Sequence, residues 1–345
     1  MGSNQAPLLK KRGCQFERIG AIDGSAPTPS FSQDLWEDLG SSYDRGLDGS
    51  HASLTQYYDQ PLRCFRFWDF QLVQTVEEFE EILGCPLGGR KPYLFSGFYP
   101  SMARIAKQNR NGIVGIPRKH LEEKEKVLAD QGEWTSFIDI LALLIFKVIL
   151  FPNVDGLVDL AAIDAFLAYH HSKESPVTAI LVDLYDTFDR RCEKSDTRIV
   201  YCTPTLYVWL VSHLFRHESR PVCPMQGHYI CAEKGEVNWE QLLASVVGAS
   251  INWFPWWKKG GVGVLSSCKG FPNIPLMGMR GCINYNPVLA IRQLGYPMRG
   301  APSEESIMPL IARGFSDHNA RILQGVHKAW GAVQRKDKEL RGSAN

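Results

Sequence analysis

Apolar and polar positions along this chain fall mostly into the three- and four-residue spacing of amphipathic helices. In TVEEFEEILGCP, Val76, Phe79, Ile82 and Leu83 make one apolar face. Thr75 caps it, Glu78 three residues on completes a capping box, and Gly84 and Pro86 stop it. Pro117 opens a second helix running to about Ala129, and residues 134–150 form a strongly apolar third. Ser175 and Pro176 start one through Glu193, and Thr203 and Pro204 start one through His217. Asn238 caps a helix through Val247. Asn286 and Pro287 open one that Gly295 and Pro297 close, and 303–312 and 319–340 are also helical in pattern. In the N-terminal region a short helix is placed at Gln33–Leu39. Period-two alternation is scarce: it marks RCFRFWDFQL at 63–72, with weaker signals at 198–202 and 228–232. The pattern predicts a mainly α fold, a single compact helical domain with a minor strand or hairpin element near residues 63–72.

The stretch INWFPWWKKGG, 251–261, breaks this regularity. It follows an amphipathic helix bearing Trp239, Leu242, Leu243, Val246 and Val247, and Pro255 and the glycines release the chain. Clustered rings at a helix exit anchor a loop to the core, or they form a stacking platform for bases. Anchoring is the more economical reading, and Trp256 and Trp257 are the candidates for the platform.

Composition narrows the classes. With 44% hydrophobic residues among 345 and a formal net charge of +1, the chain can bury a large core and has no global field that draws polyanions. Nucleic acid would have to use a local patch. Nine cysteines, an odd number irregularly spaced, fit reduced thiols and an intracellular setting, nucleus or cytoplasm with the nucleus favoured. Phe137–Phe151 contains Asp139 and Lys147 and is too short for a membrane span, so no membrane partner is expected.

Several constellations invite chemistry. Asp183, Asp186 and Asp189, with Asp159 and Asp164 upstream, carry the carboxylates a Mg²⁺-dependent enzyme acting on nucleic acid would use. On a helical wheel, however, Val177, Ile180, Leu181, Leu184, Tyr185 and Phe188 form the apolar stripe, and the aspartates fall opposite, on a solvated face. His213 and His217 have zinc spacing but lack the glutamate that a catalytic motif requires. Cys223, His228 and Cys231 supply three of the four ligands of a structural zinc site, and nothing selects the fourth. No nucleophile elbow, phosphate loop or dinucleotide fingerprint is present. No cofactor is expected.

Between Glu81 and Glu122 there is no acidic residue. The interval holds Arg90, Lys91, Arg104, Lys107, Arg110, Arg118 and Lys119, with Tyr93, Phe95, Phe98 and Tyr99 interleaved. These cations are the candidate phosphate contacts. A solvated loop anchored by its rings accounts for the same residues.

The run CFRFWDFQLVQTVEEFEEILGCPLGG, 64–89, resembles the strand–turn–helix signature of the aminotransferase-like plant mobile domain. The segments NRNGIVGIP (109–117), 139–169, TPTLYVWLVSHLF (203–215) and 270–300 resemble a narrower group of plant mobile-domain-like proteins of unknown function. The resemblance spans about residues 50–330 and implies a helical fold, plant origin, association with transposable elements and no catalytic residue. Residues 1–50, rich in Gly, Ser, Pro and Asp, are expected to form a mostly disordered arm, followed by a helical domain, 51–315, and a charged C-terminal helix, 316–345. That last helix would begin a coiled coil and allow self-association. The expectation is a non-enzymatic protein that contacts nucleic acid or other proteins.

Overall fold

The computed structural model describes residues 53–88, 90–96, 99, 108–110, 112–152, 154–194, 201–214, 239–255, 263–268, 270–296, 300–307, 312–314 and 319–336. The N-terminal arm, with Gln33–Leu39, lies outside them, as do the strand signal at 228–232 and most of that at 198–202.

The helices are α1 (Val76–Leu83), α2 (Arg118–Gln131), α3 (Trp134–Ile145), α4 (Leu160–Ser172), α5 (Val177–Glu193), α6 (Thr203–Leu214), α7 (Trp239–Ser245), α8 (Pro287–Gln293), α9 (Glu304–Ile307) and α10 (Ala320–Trp330). In α1 the capping box forms as the spacing predicts. The Glu78 N–H donates to the Thr75 hydroxyl at 3.1 Å, and the Thr75 N–H donates to the Glu78 carboxylate at 3.4 Å. Gly84 ends the helix at φ 66°, a conformation glycine reaches without strain. The long apolar helix beginning at Trp134 widens at its C-terminal end into a π-helical turn, Phe146–Leu150. The helix α4 has no counterpart in the sequence reading, although Asp159 caps it by accepting from Ala162 N–H at 2.7 Å.

The expected single helical body with one strand element is corrected. The described residues are predominantly helical but carry four small sheets. These are β1 (Tyr58–Asp59), β2 (Cys64–Arg66) and β3 (Gln71–Leu72); β4 (Gln108–Arg110), β5 (Ile113–Pro117) and β6 (Leu157–Asp159); β8 (Ile274–Met277), β9 (Gly281–Tyr285) and β10 (Ala312–Arg313); and β7 (Val264–Ser267) with β11 (Gln334–Lys336). Every pairing is antiparallel. The β8–β9 hairpin is buried at every position, so it shows no alternation to read. The predicted helix 319–340 stops at Trp330, and the chain turns back as β11 onto β7. Leu323, Val326 and Ala329 of α10 are buried in the main core, so the stripe a coiled coil would need is already used.

The core centres on α5. Its apolar stripe joins α1, α6 and the β8–β9 hairpin in one cluster that reaches Phe65, Phe79, Trp209 and Tyr285. The helix is buried almost all round, including Thr187 and Asp189. That corrects the solvated aspartate face at Asp189, while Asp183 and Asp186 keep partial exposure. Asp189 is 2% exposed, accepts from the Tyr58 hydroxyl at 3.0 Å and pairs with Arg63 at 3.1 Å. Arg63 also donates to the Asn284 carbonyl at 3.0 Å, tying β1–β2 to α5 and β9. A second region packs α2, α3 and α4 around Leu121, Phe137, Leu144 and Val158.

Candidate functional site: an aromatic cleft with two arginines

The hairpin β2–β3 was read correctly as a strand element, and its tip carries the least expected exposure in the fold. Phe67 N–H donates to the Phe70 carbonyl at 3.0 Å, closing a two-residue turn over Trp68 and Asp69. Phe65 and Phe67 face inward, and Trp68 is left 96% exposed. Indole rings bury 150–250 Å² in cores. At about 25 cal/mol per Å², leaving Trp68 in water forgoes roughly 4–6 kcal/mol of burial.

The tip is held rigidly. Both Asp69 oxygens accept from Gly248 N–H, at 3.0 and 3.1 Å. Tyr57, Phe67 and Phe70 form a stacked ladder with centroid separations of 4.8 and 4.5 Å. Trp253 meets Phe70 edge-on at 5.9 Å, and its indole N–H donates to the Gly248 carbonyl. Phe254 is half exposed, with its ring edge against Gly295, where a Cβ would sit 3.2 Å from it and a φ of 86° favours glycine. From α8, Arg292 donates to the Gln71 side chain at 3.0 Å. These elements enclose an open cleft of about 510 Å³, lined by Arg66, Trp68, Trp253, Phe254 and Arg292 among others. The one carboxylate among its described lining residues, Asp69, is taken up by a backbone amide.

The stretch at 251–261 therefore divides. Trp253 anchors the loop to the core, and Phe254 shows a face to the cleft. Trp256 and Trp257 lie outside the described residues. Arg66, Trp68 and Arg292 were missed because no local motif contains them. The aromatic density of RCFRFWDFQL was the available signal, and it was taken only for a strand.

The cations of the acid-free interval are divided between elements. Arg90 and Lys91 lie in a segment whose backbone pairs with Ser175 before α5. Arg118 pairs with Glu122 at 2.6 Å and Lys119 with Glu123 at 3.9 Å, each within α2. Arg110 belongs to β4. Arg104 and Lys107 lie outside the described residues, as do Cys223, His228, Cys231 and His217. Among the described residues no group of three or more His, Cys, Asp or Glu side chains is arranged to hold a metal.

Of the upstream carboxylates, Asp164 accepts from the Tyr93 hydroxyl at 2.7 Å, and Asp159 meets cations. Asp159 lies 3.4 Å from Arg280 and 4.0 Å from Lys147. Burial pushes Asp183 up to about 7, against the neighbouring Arg280. Burial also lowers Lys147, which donates to the Phe151 carbonyl at 2.7 Å, to about 8. Asp186 is paired with Arg190 at 2.7 Å. Two carboxylates interleaved with two cations neutralise one another, and a divalent ion would have to displace Lys147 and Arg280.

His213 is fully buried. Its Nδ1 lies 2.8 Å from the Asn252 carbonyl and its Nε2 lies 3.2 Å from Glu78. Glu78 also accepts from Trp209 Nε1 at 2.9 Å and from Gln293 Nε2 at 3.0 Å. The Nδ1 of His213 is taken up by a backbone carbonyl, in keeping with the reading that set zinc aside for this histidine.

No helix among the described residues is long and apolar enough to cross a membrane. No curated protein and no solved structure matches the chain. The resemblance to the aminotransferase-like plant mobile domain is corrected by the family model that does match, and the plant and mobile-element origin it implied has no support. That model covers residues 48–345, from just before the first described helix turn through the last strand, and the chain belongs to the family of the domain of unknown function DUF7745.

Proposed function

We propose that this domain is a non-catalytic recognition module whose cleft holds a segment of single-stranded nucleic acid. One observation carries the reading: Trp68 stands 96% exposed at the edge of a cleft that also presents Arg66, Arg292 and half-exposed Phe254. Unpaired bases stack on exposed rings, and arginines meet the phosphates beside them. The rigid tip limits the ordering cost on binding. The chain leaving the cleft continues as Trp256, Trp257, Lys258 and Lys259, the same two chemistries.

The test is fluorescence anisotropy with labelled single-stranded DNA and RNA of about 12 nucleotides. Two phosphate contacts predict a log–log salt slope of about −1.4. Trp68→Ala should weaken binding by about 1–3 kcal/mol, roughly 5- to 150-fold. Arg66→Glu with Arg292→Glu should flatten the salt slope. Absence of binding at low salt, or full affinity in the Trp68→Ala protein, would refute the proposal.

A further inference from the structure

Both walls of the cleft hang from one buried group. On one side Gln293, next to Arg292, donates to Glu78 and exchanges two bonds with the Val73 backbone, its Oε1 accepting from Val73 N–H at 2.7 Å and its Nε2 donating to the carbonyl at 2.7 Å. On the other side Asn252, next to Trp253 and Phe254, is bound to His213 twice. The Asn252 N–H donates to the His213 carbonyl at 2.8 Å, and the Asn252 carbonyl faces His213 Nδ1 at 2.8 Å. The Asn252 side chain adds a bond to the Ser212 carbonyl at 3.3 Å.

The donor inventory sets the state of the ring. A carbonyl only accepts, so Nδ1 carries a hydrogen. Glu78 receives the Thr75 amide, the Trp209 indole and the Gln293 amide, so it is an acceptor at both oxygens. His213 Nε2 lies 3.2 Å from this carboxyl group. We infer that His213 acts as the positioning residue for the Trp253–Phe254 wall, holding it through Nδ1, while its Nε2 side lies against Glu78. This deepens the reading of the cleft as a ligand site and rests on it.

The two arms can be separated by isosteres. The amide nitrogen of asparagine falls near Nδ1, and that of glutamine near Nε2. His213→Asn keeps the donor to Asn252, and His213→Gln keeps only the arm to Glu78. Protein labelled with 5-fluorotryptophan, its Trp253 resonance assigned through Trp253→Phe, reports the wall without any ligand. His213→Asn should leave that resonance and oligonucleotide affinity near wild type. His213→Gln should shift or broaden it and weaken binding about tenfold, the effect of one lost buried hydrogen bond. A merely structural histidine would lower the melting temperature of both variants alike without separating their resonances, and that pattern overturns the inference, as does the reverse ranking. If neither variant folds, ¹⁵N spectra of the wild-type ring decide: a hydrogen on Nδ1 sustains the inference, and a bare Nδ1 sinks it. Should wild-type protein bind no oligonucleotide, the cleft assignment fails, while the fluorine and nitrogen spectra still judge the role of His213.

Discussion

Asp189 offers the sharpest energetic test of the fold. It is 2% exposed and bonded to Arg63 and Tyr58, and Arg63 is itself 5% exposed. Asp189→Ala leaves a buried guanidinium with a single neutral acceptor, the Asn284 carbonyl. Breaking one side of a buried pair costs about 3–5 kcal/mol, and the Tyr58 hydroxyl loses its acceptor for about 1 kcal/mol more. Arg63→Met strands the carboxylate and should cost about the same. It keeps a side chain at the left-handed φ of 47°, so the backbone contribution is unchanged. The double variant removes both charges and should cost only about 3 kcal/mol, because apolar replacement of a buried pair is well tolerated. The non-additivity should then be about 3 kcal/mol or more. Urea unfolding followed by far-UV circular dichroism measures all four corners of the cycle. If either single variant loses under about 1 kcal/mol, or the double variant equals the sum of the singles, Asp189 is a solvated side chain and the packing of α5 derived above is wrong.

Three further outcomes follow from the structure. Asp183 is raised to about 7 by burial, well above its value in the unfolded chain, so it favours folding most below about pH 4, and that stabilisation is lost as pH rises through about 7; urea midpoints across this range should fall with pH in the wild type and fall less in Asp183→Asn, and equal slopes would contradict this. A side chain at Gly115 would collide with the Val158 carbonyl across the β5–β6 pair, so Gly115→Val should destabilise by about 3 kcal/mol or more in thermal melts, whereas Gly132→Val, where the Cβ meets open space but φ is 73°, should cost only the backbone strain of about 1–2 kcal/mol. Among the described cysteines Cys192 is exposed, while Cys64, Cys202 and Cys282 are buried and pushed up to about 12, 11 and 12 by burial; brief alkylation of native protein with peptide mapping should label Cys192 first and spare those three, and equal labelling would show the core to be open.

Local chemistry determined much of the helical framework from sequence. The capping box at Thr75, the glycine at 84, Pro117 before α2 and Asn286 with Pro287 before α8 act within four or five residues, and each falls where the pattern predicts. The same spacing rules placed α5 but misjudged its polar side. A helical wheel separates two faces and cannot tell that a second layer covers the polar one; Asp189 meets Arg63 across 126 positions. The short strands between 274 and 285 were hidden because full burial removes alternation, and β11 was hidden because its partner lies in β7, about 70 positions earlier in the chain. The cleft is the extreme case. Arg292 reaches Gln71 across 221 positions and Asp69 reaches Gly248 across 179, so no window of sequence contains the site. Sequence alone decided many of the helix starts and stops, those set by caps, glycines and prolines, because those free energies are local. Only the tertiary structure decided which rings remain in water and which charges are buried, because both depend on which distant segments pack against them.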